Sequence, residues 1–138
     1  SEGGYRLYPS SVTVPTTAES GETVCLSHVW ENLGWGYCPN NIRQWHYRYK
    51  PAFVLLDSEG KVVRTFVDRQ SEPSEWIKGK PGSHSFSADL KGIAPGEYTW
   101  AIGIADTMRG NRKGLNIAVD REHLTPEGWL KLEKVTIR

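Results

Sequence analysis

The 138-residue chain lacks an excess of charge of either sign: 17 Lys and Arg stand against 16 Asp and Glu, for a formal net charge of +1. Acids and bases are mixed along the chain. The basic stripe of a nucleic-acid binder is missing, so no nucleic-acid partner is expected. No apolar run approaches the roughly 20 residues a membrane-spanning helix needs, so no membrane partner is expected either. No hydrophobic leader is present. The expectation is a module of a longer bacterial protein, secreted under a signal outside this stretch, with the SEGG start a linker remnant.

Cysteine is scarce. Cys25 and Cys38 are the two present, with no CxxC, and two residues cannot build a zinc site without help. Cys25 falls on an expected strand and Cys38 in the loop that follows. A disulfide, which needs Cα atoms within about 7 Å, and two separate thiols therefore both stand as readings. A bridge would fit an extracellular setting and would pin the loop. Catalytic signatures are also missing: there is no GxSxG, no HExxH and no phosphate loop. Glycoside hydrolysis needs two carboxylates about 5–10 Å apart. Glu31, Asp68, Glu72, Glu75 and Asp106 lie in loops, but no motif pairs them, and a non-enzyme is expected. His28, His46, His84 and His123 show no ligand spacing. No cofactor is required, although clustered loop oxygens would suffice for a structural calcium ion.

Helical periodicity is almost absent. Short alternating segments separated by turn signals predict an all-β sandwich, immunoglobulin-like or jelly-roll, of about eight antiparallel strands in one domain over 1–138. The strands are expected at 6–14, 22–30, 52–56, 61–67, 83–90, 98–105, 115–119 and 130–137. Val24, Leu26, His28 and Trp30 share one face at period two. Trp30 and Trp100 are therefore core, His28 is a hydrogen-bonded core residue, Trp129 packs at an edge, and Tyr98 after PGE suits a tyrosine corner. In an up-and-down order, DSEGK and KGIAPGE mark one end of the sandwich. The longer connections 31–51, 68–82 and 106–114 mark the other. Long loops at one end of a rigid scaffold are where binding usually sits.

The longest of these is unusual. Between Trp30 and Tyr49 it carries three Trp, three Tyr, a Cys and a His, with Gly34, Gly36 and Pro39 as breakers. Trp45, Tyr47 and Tyr49 alternate, which would turn them to one side of an extended segment. One reading continues that face into the core. The other exposes the rings among Asn40, Asn41, Arg43, Gln44 and His46, an arrangement suited to sugars. An aromatic ring lies against the C–H face of a β-linked glucose unit, burying apolar area at about 25 cal/mol per Å². Amides and Arg bond the hydroxyl rim.

Several strings now read together: GYRL, GETVCLSHVWENLGWG, LLDSEGKVV, Trp76 followed by Pro81 and Gly82, PGEYTWAIGIAD, LNIAVD and EGWLKLEKVTI. Over nearly its whole length the chain resembles the C-terminal β-sandwich domains of bacterial multidomain proteins of the glycoside hydrolase type. The resemblance implies a sandwich in a carbohydrate-active setting, with catalysis left to a neighbouring barrel. The chain departs from that pattern where WGYCPNNIRQWHYRY expands one connection, so the family offers no residue-level guide to a site there.

The resulting expectation is a carbohydrate-binding module for cellulose, β-glucan or xyloglucan. Trp35, Trp45 and Tyr47 would stack on sugar, and Tyr37, Tyr49 and Trp76 would be weaker candidates. Trp76 reads equally as scaffold. Asn40, Asn41, Arg43, Gln44 and His46 would bond hydroxyls. The rival expectation keeps the same rings as a docking face for an attached glycoside hydrolase domain, or for a second copy in a weak homodimer.

Overall fold

The computed structural model describes residues 4–42 and 45–138, and among them there is no α-helix. Nine strands form: β1 (Leu7–Thr13), β2 (Thr17–Ala18), β3 (Thr23–Asn32), β4 (Tyr49–Leu56), β5 (Val62–Val67), β6 (Gly82–Asp89), β7 (Gly96–Asp106), β8 (Arg112–Leu115) and β9 (Leu130–Ile137). They make two sheets, β1-β3-β6 and β2-β9-β7-β4-β5, with β8 pairing β7 beyond the end of β9. Pro9 sits at a bulge in β1, an edge strand, where its missing N–H leaves no gap in the ladder.

The order is not up-and-down. β3 hands over to β4 in the opposite sheet, and β5 hands back to β6. This is the strand arrangement of an immunoglobulin-like sandwich. The tyrosine corner is present: the Tyr98 hydroxyl, near the start of β7, donates to the Ala94 carbonyl at 2.6 Å. The expected strand at 115–119 is displaced to 112–115. Leu115 and Ile117 do turn inward, but Ala118 N–H bonds the Leu7 carbonyl in the other sheet, so the backbone leaves β7 there. The apolar alternation reported the core and not the ladder.

Period two in β3 buries Val24, Leu26, His28 and Trp30, and these meet Phe53, Leu55, Trp100, Ile102 and Ile104 between the sheets. β4 and β7 are covered on both faces. On the outer side Val54, Leu56, Ala101 and Ala105 pack with Trp129, which lies so close to Gly103 that a Cβ there would sit 2.7 Å from its ring. Double coverage explains why AFVLL reads as an unbroken apolar run.

Candidate functional site

The connections 33–48, 68–81 and 107–111 meet at one end of the sandwich, tied by polar side chains that end up inside. Asn32, the last residue of β3, is buried; its amide donates to the carbonyls of Gly36 and Trp76, and its Oδ1 accepts from the N–H groups of Arg6 and Gly34. Asn40 ties the first loop to the start of β4 and to the second loop in the same way. Its Nδ2 donates to the Tyr49 carbonyl and the Glu72 carboxylate, and its Oδ1 accepts from Tyr49 N–H. Lys50 completes the link by donating to Glu72 and to the Ser71 carbonyl. The Arg48 guanidinium grips Asp106 bidentately, and Thr107 N–H bonds the Arg48 carbonyl. That pairing raises the Arg48 pKa. Burial pushes the Asp106 carboxyl up, but the Arg48 bond and the Met108 N–H outweigh it and leave it below its usual value.

Beneath the second loop lies a buried network. The Trp30 indole N–H donates to His28 Nδ1 at 2.8 Å, which leaves Nε2–H to donate to Asp68 at 2.9 Å. Ser71 Oγ donates to the same Asp68 oxygen. Ser71 therefore bonds the carboxylate and not the imidazole, and the three residues are not arranged as a nucleophile and its base. Burial raises the Asp68 carboxyl, and its bonds from His28, Ser71 and Gln70 more than reverse this. Trp76 stacks on Trp30 at 5.3 Å with planes 12° apart, and its indole N–H reaches His84 Nε2 at 3.3 Å. Burial, and then the neighbouring His28, hold the His84 pKa below its ordinary value, against smaller opposing pulls from Asp68 and Glu75.

On this frame stands a set of exposed rings and aliphatic side chains. Leu33, Trp35, Tyr37, Ile42, Tyr47, Ile77 and Met108 are exposed large hydrophobics, and all seven lie in the three loops; Val63 alone, on β5, lies elsewhere. Trp35 is the most open, at 86% exposure. Trp35 and Tyr37 sit in the stretch that Asn32 clamps. Tyr47 is fixed differently. Residues 45–47 form a tight turn, with Tyr47 N–H bonding the Asn40 carbonyl and Arg48 N–H the Trp45 carbonyl. His46 and Tyr47 take φ of 50° and 56°, the left-handed region, at about 1–2 kcal/mol each for residues with a Cβ.

Several sequence expectations are corrected here. The alternation of Trp45, Tyr47 and Tyr49 fails, because the turn places the rings on different sides. Trp45 is half-buried against the core and meets Tyr49 edge-on at 5.1 Å, while Tyr47 is exposed. Tyr49 belongs to β4 and is half-buried, with the Arg48 guanidinium 5.1 Å from its ring centre. Trp76 is scaffold, at 2% exposure. Gly82 opposite it cannot carry a side chain, since a Cβ would lie 2.1 Å from Trp76 Nε1. Asn40 has no exposed surface and spends its amide on the loop. Asn41 and His46 are exposed as expected, and Arg43 and Gln44 lie outside the described residues.

Cys25 and Cys38 do not form a disulfide. Cys25 faces solvent near the start of β3, and Cys38 is buried beyond its far end. The seven residue steps from Cys25 to Asn32 alone span roughly 23 Å of strand. Among the described residues, Asp120, Glu122 and His123 are the group with ligand spacing, their donor atoms within 4.8 Å in the β8–β9 connection, all exposed.

Lys78 was not legible as part of this surface. It occupies a turn in which Lys80 N–H bonds the Ile77 carbonyl and Gly79 has φ of 84°. Its ammonium stands 4.2 Å from the Trp35 ring centre. Nothing in the string IKGK signals that contact, because it joins residues 43 positions apart.

The fold and its decorated end define an all-β sandwich domain with three loops gathered at one end. No protein-family model matches the chain, and no curated protein matches it in sequence. Solved structures do match its fold. The CARDB domain of the PF1109 protein from Pyrococcus furiosus, in complex with di-metal ions, is 10% identical with a TM-score of 0.51, covering 99% of this chain and 96% of that one. The C-terminal domain of wzt is 12% identical with a TM-score of 0.53, over 99% of this chain and 75% of that one. A β-glucosidase from Listeria innocua, in complex with glucose, is 11% identical with a TM-score of 0.51, over 96% of this chain. The match spans only 16% of that enzyme.

Proposed function

We propose that this domain is a non-catalytic carbohydrate-binding module that holds an attached glycoside hydrolase at β-linked plant polysaccharide, in a secreted protein. The observation that carries the reading is Trp35, an indole almost fully open to solvent on a loop held by buried asparagine clamps. Tyr37 and Tyr47 supply further rings, and Asn41 and His46 supply exposed polar groups at the same end. Rings carried on a clamped backbone lose less freedom on association than rings on a free loop, and each adds a stacking area at about 25 cal/mol per Å². Several such contacts give a micromolar dissociation constant, about −8 kcal/mol. Tethering then raises the local concentration of an enzyme at its substrate without new chemistry. The occurrence of this fold as a small part of a β-glucosidase chain supports the enzyme-attached setting.

A second reading is favoured by Leu33, Ile42, Ile77 and Met108. These aliphatic exposures do not stack on sugar, and they suit a face docked on the catalytic domain or on a second copy. Affinity electrophoresis separates the two. Retardation by β-glucan, xyloglucan or hydroxyethyl cellulose, lost in Trp35→Ala, supports the module. No retardation in any gel, with dimers in sedimentation that Trp35→Ala or Met108→Ser dissolves, supports docking instead.

A further inference from the structure

The loop end hides its negative charge and displays its positive charge. Residues 33–48 contain no Asp or Glu. The ends of β3 and β7 and the second and third loops bring five: Asp68, Glu72, Glu75, Asp106, and Glu31, which is half-buried and accepts from the Tyr8 hydroxyl. Asp68 is held by His28 and Ser71, Glu72 by Lys50 and Asn40, and Asp106 by Arg48. Only Glu75 remains exposed, on the 3-10 turn before Trp76. Arg48 and Lys50 are spent in those pairs, but further cations are left outside them. Lys78 and Lys80 are exposed and, among the described residues, have no carboxylate within ion-pair distance, and Arg109 lies 3.8 Å from an Asp106 carboxylate that Arg48 already grips. The Lys78 ammonium lies over the most exposed ring of the surface.

We infer that the Trp35–Lys78 pair selects acidic polysaccharide, whose sugar units carry carboxylates. This deepens the module reading and rests on it. A neutral glucan would use the ring alone and leave the ammonium over it as a competitor. A carboxylated chain uses both. The sugar's C–H face takes the indole, and the ammonium, on a flexible four-carbon stem fixed at the turn tip, swings to the ring edge and meets the carboxylate. Lys80, two residues on across the same turn, offers a second cation to a neighbouring unit. The ring holds the ammonium weakly at an exposed site, so the exchange for a full negative charge is favourable.

Carboxymethyl cellulose and hydroxyethyl cellulose share one β-glucan backbone and differ in charge, which makes them the test pair. Titration followed by tryptophan fluorescence should show carboxymethyl cellulose bound at least tenfold more tightly in 0.01 M salt. The preference should shrink in 0.15 M salt, where screening shortens from about 30 to 8 Å. Lys78→Gln should lower the ratio of the two affinities about three- to tenfold, and Lys78→Arg should keep it. Lys134→Gln, on β9, is the control for net charge. Equal binding of the two polymers, or a ratio lowered as much by Lys134→Gln as by Lys78→Gln, overturns this inference while leaving the module reading intact. Binding of neither polymer overturns both.

Discussion

Trp76 and Trp35 are two indoles in neighbouring loops with opposite burial, and truncating each should give opposite results. Trp76 is enclosed by Trp30, His84 and Gly82, and a glycine cannot collapse into the space the ring would vacate. A buried Trp removes about 150–250 Å² from water, or roughly 4–6 kcal/mol as an upper bound at 25 cal/mol per Å². Measured Trp→Ala changes in cores run about 3–5 kcal/mol. We take about 4 kcal/mol for Trp76→Ala. For a chain of 138 residues the unfolding entropy is about 0.3 kcal/mol per kelvin, so Tm should fall by roughly 10–17 °C. Trp35→Ala should move stability by no more than about 0.5 kcal/mol, because its ring is almost fully open to solvent. Far-UV circular dichroism during heating and in urea reads both variants without relying on the altered chromophore. Trp76→Phe, which keeps a ring, should lose less and remain measurable if Trp76→Ala does not fold. A Trp76→Ala loss below about 1 kcal/mol, or a Trp35→Ala loss equal to it, would refute the assignment of core and surface.

The remaining expectations follow from the same frame. Asn40→Ala should cost about 2–4 kcal/mol in urea unfolding, since it leaves the Glu72 carboxylate and the Tyr49 backbone groups short of partners; a loss under 0.5 kcal/mol would show that water replaces the amide freely. Tyr98→Phe should cost about 1 kcal/mol by removing the corner bond to Ala94, and an unchanged urea midpoint would contradict this. Because the folded His84 pKa lies below 6.5, the unfolded chain takes up its proton first, so stability present above pH 6.5 should begin to fall as pH drops below it. A second loss should come below about pH 4, as Asp68 and Asp106, whose carboxyls are both held below the ordinary aspartate range, are forced to protonate. His84→Gln should flatten the upper limb, and an upper limb identical to the parent's would assign it elsewhere. A thiol reagent on the folded domain should modify Cys25 and spare Cys38, read by mass mapping; modification of Cys38 at the rate of Cys25 would contradict its burial.

Legible from residue order and type were the all-β class, most strand positions, the inward face of β3 and the end of the sandwich at which the long loops gather. Each follows from local chemistry: period-two alternation fixes which side of a strand is apolar, and Gly, Pro and Asp fix where the chain turns. Reversal of chain direction at each turn is enough to sort loops by end, which is why that expectation held although the strand order was not up-and-down. The tertiary structure alone decided which aromatics are surface. Trp35, Trp45 and Trp76 are the same residue type in similar loop contexts, and they differ by where the packed chain puts them: Trp35 stays open to solvent beneath the Lys78 ammonium, Trp45 leans on the core beside Tyr49, and Trp76 is enclosed by Trp30 and Gly82. The left-handed turn at His46 and Tyr47 broke the alternation of the three rings, and a two-residue backbone excursion of that kind leaves no mark in side-chain spacing. Asn40 was equally ambiguous, since an amide that bonds sugar and one that bonds backbone are the same group. Burial chooses between them, and burial is a property of the packed chain.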